Sequence, residues 1–331
     1  MVAMPKCPVQ LPHFSIPIIR RVTKMKYLKQ NSAMLWLLAM LVWGTGFNVA
    51  ASDVASQTLQ LEPGWNAVFV ELEPDDDNGT TADDNVPARV FNLGNIEMVW
   101  AMPRTTSTIQ YISQPSEIGI NDPDWHVYIP ASQPTAALTN LHAVTAGRVY
   151  LIKVAGTQTQ QLVIHGRPQY KRIQWRAESF NLVGFHADPD PQQQVSFAQF
   201  LGLPSSSNPS IFKLTGNTWT LISKNSLVEH GRGYWVYNDG TFNRSGPLDI
   251  NDSALNGLGF GELGTVKALD LVNRSSANMS AVSLAVAGFP LKYFGGYGGA
   301  SGLEPQWLNA DGLSFAINSG KNRSLMLAVD R

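Results

Sequence analysis

Two pairs of segments decide the fold of this chain. The first pair is Leu61-Glu-Pro-Gly-Trp-Asn-Ala-Val-Phe-Val70 and, further on, Gly147-Arg-Val-Tyr-Leu-Ile-Lys153. The second pair is Trp175-Arg-Ala-Glu-Ser-Phe-Asn-Leu-Val-Gly184 and Gly231-Arg-Gly-Tyr-Trp-Val-Tyr237. Short apolar and aromatic runs led by turn-forming residues are typical of strands. We therefore predict a mainly β fold.

The stretches between these segments carry further landmarks in the same order. Each has an apolar pair, then a strand that ends in an aromatic residue, and then a lone tryptophan, which is Trp125 in the first stretch and Trp219 in the second. Repetition of landmarks in one order indicates an internal repeat. We predict that residues 59–165 superpose on residues 173–245. The residue pairs that should then coincide are Trp65 with Phe180 and Tyr150 with Tyr234.

Each predicted module combines a small sheet with one short helix. In the second module, Phe197, Phe200 and Leu201 have the i, i+3, i+4 spacing of one helix face, and Gly202 follows as a stop signal. The tryptophans at repeat landmarks are predicted to be core residues: Trp65, Trp100, Trp219 and Trp235.

The Gly-Trp-Asn motif at 64–66 and the Gly-Arg-Gly-Tyr-Trp-Val motif at 231–236 also carry a resemblance. With the short helix and the tryptophans between them, they resemble uncharacterised β-rich modules that are repeated in large secreted bacterial proteins. Such modules often stand beside fibronectin-like or immunoglobulin-like domains. The resemblance covers 59–154 and 175–238, and it implies secretion and a repeat architecture without implying any catalytic residue.

The remainder of the chain is predicted to form a third β-domain. Residues 246–262 are turn-rich and indicate a linker, and 263–331 resembles part of an immunoglobulin-like β-sandwich. Residues 266–272 and 281–286 are predicted to pair with each other. Residues 313–317 and 325–329 should form a second hairpin, and the glycine-rich stretch 295–302 should be a flexible loop.

This third domain is shorter than the ~100 residues that such sandwiches usually need. The apolar run Leu325-Met-Leu-Ala-Val329 stands almost at the end of the sequence. A strand left at the edge of an incomplete sandwich would expose apolar side chains and unpaired backbone groups. We therefore expect either an N-terminal piece of a longer protein or an unusually small third domain.

The start of the chain predicts export. Lys24, Lys26 and Lys29 precede the apolar run 33–43, and small residues follow, with cleavage expected before Ser52. The alternative is an uncleaved anchor, because 32–52 is free of charge and just long enough to span a bilayer. The single cysteine, Cys7, precedes this segment, so a processed chain would contain no disulfide or cysteine metal site.

The predicted organisation is a signal peptide with an extended n-region (1–51), β-rich module 1 (52–170), β-rich module 2 (171–245), a linker (246–262) and an immunoglobulin-like β-domain (263–331). The expected location is secreted, periplasmic or at the cell surface, and bacterial.

Composition limits the classes of partner. The 331 residues include only 15% charged residues, and the net charge is −1, which disfavours nucleic-acid binding and polybasic membrane binding. Membrane contact is expected only through the signal segment if it is uncleaved. The expected partner is an unknown protein or glycan outside the cell, and no cofactor is predicted.

No catalytic motif stands out, so we predict a non-catalytic structural or binding protein. The alternative is a secreted glycan-binding module or a glycoside-type hydrolase whose carboxylates converge only in the fold. The acidic loop near residue 75 lacks the regular spacing of a calcium loop, and it is interpreted as a solvated loop. Its weak calcium candidates are Asp75, Asp77 and Asp83.

Aromatic side chains that the repeat pattern constrains less are the candidate ligand-binding residues. An exposed ring beside polar groups offers both an apolar face and hydrogen-bonding partners, which suits a sugar. The candidates are Trp125, Tyr128, Tyr293, Tyr297 and Trp307.

The export hypothesis predicts the start of the mature protein. If the signal is removed, N-terminal sequencing of the purified protein should begin at or near Ser52. A protein that still begins at Met25 and is retained in the inner membrane would contradict removal.

Overall fold

The computed structural model describes residues 14–15, 54–75, 83–103, 114–120, 122–169, 171–192, 194–240, 243, 246–251, 265–275, 278–284, 290–299 and 301–329. Most of the predicted signal segment and residues 252–262 of the predicted linker lie outside this set. Strands dominate the described residues, and the two α-helices are one turn each. The prediction of a mainly β fold is confirmed.

In chain order, the strands are β1 Phe14–Ser15, β2 Ala55–Leu61, β3 Gly64–Val70, β4 Leu72–Pro74, β5 Ile96–Ala101, β6 His126–Tyr128, β7 Arg148–Val154, β8 Gln160–Pro168, β9 Ser179–Gly184, β10 Ile211–Thr215, β11 Thr218–Ile222, β12 Gly233–Asn238, β13 Leu248–Asn251, β14 Val266–Asn273, β15 Met279–Leu284, β16 Leu291–Gly298, β17 Glu304–Asn309, β18 Leu313–Ile317 and β19 Asn322–Val329. The helices are α1 Pro87–Val90 and α2 Phe197–Phe200, and 3₁₀ turns cover Pro115–Glu117 and Ala136–Leu138.

Two four-stranded antiparallel sheets have the same strand order. The first is ordered β3-β7-β5-β6 and the second is ordered β9-β12-β10-β11. Their registers also correspond, since Val68 pairs with Tyr150 in the first sheet and Val183 pairs with Tyr234 in the second. The pairings therefore place Trp65 and Phe180 at equivalent positions.

Two hydrogen-bonding motifs recur at equivalent positions of these sheets. The Asn66 amide exchanges hydrogen bonds with the backbone of Glu62, and the Asn181 amide does so with the backbone of Arg176. Asparagine stabilises a chain reversal in this way because its amide substitutes for backbone groups. In the same manner, the Tyr150 hydroxyl accepts from the N–H five residues earlier at 2.8 Å, and the Tyr234 hydroxyl does so at 3.0 Å.

The first module has an additional sheet. Strands β2, β8 and β4 form a three-stranded sheet in the order β2-β8-β4. A buried cluster fills the space between it and the first four-stranded sheet, with Leu61, Leu162, Val68, Tyr150 and Ile152 among its members. The strict alternation of buried and exposed residues in β2 is typical of a strand with one face in a core.

The two four-stranded sheets pack face to face through one shared core. Its large side chains are tryptophans from both modules, and all of them are buried: Trp65, Trp100, Trp125, Trp219 and Trp235. The predicted core role of the four landmark tryptophans agrees with this burial. Because each sheet covers one face of the other, the modules form a continuous layered body in which neither sheet is solvated on both sides.

Equivalent positions of the two modules meet at the centre of this contact. Phe69 corresponds to Gly184 and Val149 to Gly233, and each bulky residue packs directly on the glycine that corresponds to it. Such self-contact is characteristic of two similar surfaces related by a two-fold axis. Two bulky side chains could not occupy one such position, so the glycines allow the backbones to approach.

A hydrogen bond of 2.9 Å from the Phe69 N–H to the Gly231 carbonyl joins the modules beside these contacts. On its far face, the second sheet carries its own core, in which helix α2 and the aromatic rings of Phe185 and Tyr234 pack together. Ser196 caps this helix with a reciprocal Ser196–Gln199 capping box.

The C-terminal part is a two-sheet β-sandwich. The larger sheet has five strands in the order β13-β14-β19-β16-β17. It encloses a buried core together with a second sheet, in which β15 pairs with β18 on one side and, in parallel, with β1 on the other. Seven strands lie between residues 248 and 329, so the domain is small without being short of strands. The strand order, with the last strand in the middle of the larger sheet, differs from the immunoglobulin arrangement.

Several strand pairings differ from the sequence-based predictions. Residues 248–251 of the predicted linker form edge strand β13, and residues 295–298 of the predicted loop belong to strand β16, which a bulge between Phe294 and Gly296 bends. Strand β15 pairs with β18 rather than with β14, and β18 and β19 lie in different sheets. Short strands of similar pattern do not reveal which neighbour they pair with, because any apolar face fits either sheet.

The run Leu325–Val329 does not lie at the edge of an incomplete sandwich. It lies in β19, which pairs with β14 on one side and with β16 on the other. Leu325 and Leu327 are buried in the sandwich core, whereas Met326 points to the opposite face and is 47% exposed.

A buried carboxylate connects the sandwich to the modules. Asp249, on β13, lies 3.5 Å from Arg172 of the segment between the modules and 3.3 Å from Arg274 of the sandwich. Its side chain is 2% exposed, so both arginines act on a charge that water scarcely screens.

Within the described ranges, no helix has the length and apolar character needed to cross a membrane.

The central contact predicts a steric penalty at Gly184. In Gly184→Ala, the added Cβ would overlap the Phe69 ring, so we expect the free energy of unfolding to fall by about 1–3 kcal/mol. Phe69→Ala should be destabilising alone, but the double variant should be more stable than the sum of the two single effects predicts. Urea unfolding of the wild type, the two single variants and the double variant measures these free energies.

Gly94→Ala is the matched control, because an added Cβ there meets no atom within contact distance. Equal effects at Gly94 and Gly184, or strict additivity with Phe69→Ala, would contradict the proposed contact.

Candidate functional site

The structure places one of the predicted ligand-binding aromatics in a core and packs another against a core. Trp125 is buried in the core between the two sheets, at the sheet position equivalent to Trp219. Tyr128 packs against the core of the first module. Trp125 was misjudged because the sequence does not show that the second sheet covers this face of the first, whereas Tyr128 is half-buried on the opposite face.

The three C-terminal aromatics are divided between the two faces of one sheet. Tyr293 packs against the sandwich core, opposite Leu327. Tyr297 and Trp307 lie together on the opposite, solvent-facing side, because a bulge between Phe294 and Gly296 restores Tyr297 to the face of Phe294. Phe294 completes the group and was missed, since it adjoins the glycine-rich stretch that was interpreted as a loop.

These side chains form an aromatic face, defined here as Phe294, Tyr297 and Trp307. The Phe294 ring centroid lies 5.1 Å from that of Tyr297 and 5.7 Å from that of Trp307, both within the range of stabilising aromatic contacts. Tyr297 is 70% exposed. The rings therefore support one another while presenting apolar surface to solvent.

The aromatic face continues along the sheet into apolar and polar neighbours. Met326 lies on the same side, because it stands two residues from Ala328, which pairs with Lys292, and residues two apart on a strand share a face. Lys292 and Asn309 form the cross-strand pair that adjoins Phe294 and Trp307 on this side. An amine and an amide thus flank the rings.

Strand β17 forms the outer edge of this sheet and contributes Trp307. Pro305 interrupts it and carries no backbone N–H, and Glu304 at its start is exposed. Proline and charge on an edge strand are devices that discourage pairing with another strand. The face of the sheet, rather than its edge, is therefore the accessible binding surface.

The candidate calcium residues do not converge in the described part of the chain. The Asp75 carboxylate is buried and lies 2.6 Å from the Arg167 guanidinium, so a protein cation already occupies it. Asp83 is exposed, and Asp77 lies outside the described residues. Among the side chains that are described, no group of three or more histidine or acidic residues has the geometry to hold a metal ion.

A titratable cluster was missed at the contact between the modules. Glu71 of the first module is buried, and its Oε1 atom lies 3.8 Å from His186 Nδ1 and 3.6 Å from His230 Nδ1 of the second module. This oxygen has no hydrogen-bond partner within the described structure. A carboxylate following the apolar run at the end of β3 was the available signal, but nothing in the sequence connects it with the two histidines.

Burial sets the protonation of this cluster. Desolvation raises the pKa of Glu71 to about 8, because a charged carboxylate loses its hydration there. Desolvation, with a smaller contribution from His230, lowers the pKa of His186 to about 4. Desolvation also lowers the pKa of His230, against the opposing effects of its hydrogen bond to the Ala187 carbonyl and of Asp188. All three groups are therefore mainly neutral near pH 7.

No family model, curated protein or solved structure matches this chain. The functional assignment therefore follows from the placement of its own side chains.

The cluster predicts a pH optimum of stability. Above pH 4.5 the unfolded state loses the Glu71 proton that the folded state retains, so stability falls as the pH rises towards 8. Below about pH 6.5 the unfolded state binds protons that buried His186 does not, so stability falls as the pH drops towards 4. The two effects offset each other between about pH 4.5 and pH 6.5, so urea unfolding should show the greatest stability in that range.

Glu71→Gln should remove the alkaline limb. Between pH 6 and pH 8, the free energy of unfolding of the wild-type protein should fall by about 2 kcal/mol more than that of the variant. Glu304→Gln, which changes an exposed residue of the sandwich, should keep the wild-type slope. An unchanged slope in Glu71→Gln would show that this carboxyl is not the source.

Proposed function

We propose that this chain is a non-catalytic binding protein of the cell exterior, and that the aromatic face of its C-terminal sandwich binds a glycan. The Arg172–Asp249 ion pair joins this sandwich to the segment between the two modules. Secretion follows from the signal-like segment and from the resemblance to modules of secreted bacterial proteins.

The exposed aromatic face is the observation that supports this proposal most directly. Large apolar side chains on a soluble protein are normally buried, and a contiguous exposed group of them indicates a binding surface. Exposed Tyr297 and Met326 form an apolar strip with the half-buried rings of Phe294 and Trp307, and Lys292 and Asn309 border it. A sugar ring presents an apolar face and a polar rim, which this combination complements.

A glycan fits this surface better than a protein strand does. A protein that added a strand to β17 would need the backbone N–H that Pro305 lacks. A sugar chain instead needs rings lying along an open sheet face and hydrogen-bonding groups at its margin. The sheet offers those groups on its face, whereas Pro305 makes its edge strand β17 a poor site for pairing with another strand.

The buried carboxylates support a non-catalytic protein over the hydrolase alternative. A glycoside hydrolase requires two carboxyl groups on either side of one cleft. The buried acids of the described residues instead face protein cations or histidines: Asp75 with Arg167, Asp84 with Arg89, Asp249 with two arginines and Glu71 with two histidines.

We also propose that the two modules arose by duplication of one ancestral module. The common strand order, the corresponding registers and the recurring asparagine and tyrosine motifs support this origin. The three-stranded sheet of the first module is the main departure between them.

The aromatic face predicts a defined loss of glycan binding. A glycan array probed with the purified mature protein should identify ligands, and Trp307→Ala should weaken their binding about tenfold or more, as removal of a stacking aromatic typically costs 1–3 kcal/mol. Tyr297→Phe should have a smaller effect, because it keeps the ring and removes only the hydroxyl.

Leu221→Ala is the control, since Leu221 is an exposed apolar residue on the second module, with 62% exposure. It should bind as the wild type does. Glycan binding that survives Trp307→Ala in a folded protein would place the site elsewhere, and an array without any ligand would contradict the glycan proposal.

A further inference from the structure

A cavity of about 170 Å³ lies at the junction of the two modules. Its walls come from both modules and from the segment that connects them: Phe69 and Val149 belong to the first, whereas Phe180 and Leu182 belong to the second. Its volume is below the roughly 300–1,000 Å³ of sites for drug-sized ligands. The space therefore suits a group no larger than a single sugar ring.

The polar lining of this cavity is cationic. Arg148 comes from β7, and Lys171, Arg172 and Arg176 come from the connecting segment. No aspartate or glutamate is among the described residues that line it. An anion placed among these four side chains is attracted by each of them, although Lys171 and Arg172 also pair with carboxylates that are not part of the lining.

Three of these cations are held in position by the protein. Lys171 lies 3.0 Å from Glu73 and is largely buried, and Arg172 is paired with buried Asp249. The Arg148 guanidinium donates a hydrogen bond to the Met102 carbonyl. Long side chains that are fixed before a ligand arrives lose little conformational entropy when it binds.

We propose that this cavity binds an oxyanion, a carboxylate or a phosphate, carried on a molecule of about monosaccharide size. The planar guanidinium groups of Arg148 and Arg176 provide the paired N–H donors that recognise two oxygens of one anion. The apolar walls around Phe69 and Phe180 accommodate the remainder of the ligand. The site requires both modules, and it is independent of the aromatic face.

Isothermal titration of the full mature chain with glucuronate, glucose 6-phosphate and glucose tests this proposal. The two anions should bind, with the tighter one showing which oxyanion the cavity prefers, and neutral glucose should not bind at this site. Arg148→Gln and Arg176→Gln should each weaken anion binding about tenfold, the effect of losing one charge-assisted interaction. The anion affinity of Arg148→Lys should lie between those of the wild type and Arg148→Gln, because lysine keeps the charge and loses the planar guanidinium.

Two further variants separate the alternatives. Trp307→Ala should leave anion binding unchanged, which distinguishes the cavity from the aromatic face. Arg323→Gln, which removes an arginine stacked on Phe315 in the sandwich, controls for a general loss of positive charge. Unfolding curves without ligand verify that each variant is folded.

The proposal is overturned if neither anion binds at about 10 mM, a concentration at which even a millimolar site is occupied. It is also overturned if glucose binds equally well, or if folded Arg148→Gln and Arg176→Gln retain full affinity.

Discussion

The face-to-face packing of the two four-stranded sheets is the interaction on which the rest of this structure depends. Each sheet has one apolar face that its own module covers and a second that only the other module covers. Burial of the tryptophan-rich second faces removes a large apolar area from water, and burial of that kind is the main favourable contribution to folding. If the modules separated, each sheet would expose its apolar second face to water.

The same packing explains the differences between otherwise equivalent residues. Where similar surfaces meet about an approximate two-fold axis, each central position faces its own counterpart. Identical bulky residues would collide there, and identical glycines would leave a void that costs stability. Phe69 packs on Gly184, and Val149 packs on Gly233. In each pair, a bulky side chain of one module fills the space that the glycine of the other leaves. A difference between the two modules at these positions is thus required by their contact.

The contact between the modules also creates the unusual polar features of the chain. It removes Glu71 from water and places it against two histidines of the other module, so that neutral forms are favoured. At its margin, the connecting segment brings three cations to the cavity, and one of them, Arg172, reaches Asp249 of the sandwich. The aromatic face lies on the sandwich, away from these groups, and is an apolar part of the described surface that no other element covers.

The sequence by itself determined the β character of the chain, the strands at the module landmarks and the burial of the landmark tryptophans, because alternation, turn residues and aromatic strands are local signals. Only the tertiary structure decided which strands are neighbours, and it separated β18 from β19 and made β16 a strand. It also buried Trp125 and left Trp307 accessible, although both are lone tryptophans in similar polar surroundings. Burial depends on which surface a distant segment covers, and residue spacing carries no information about that.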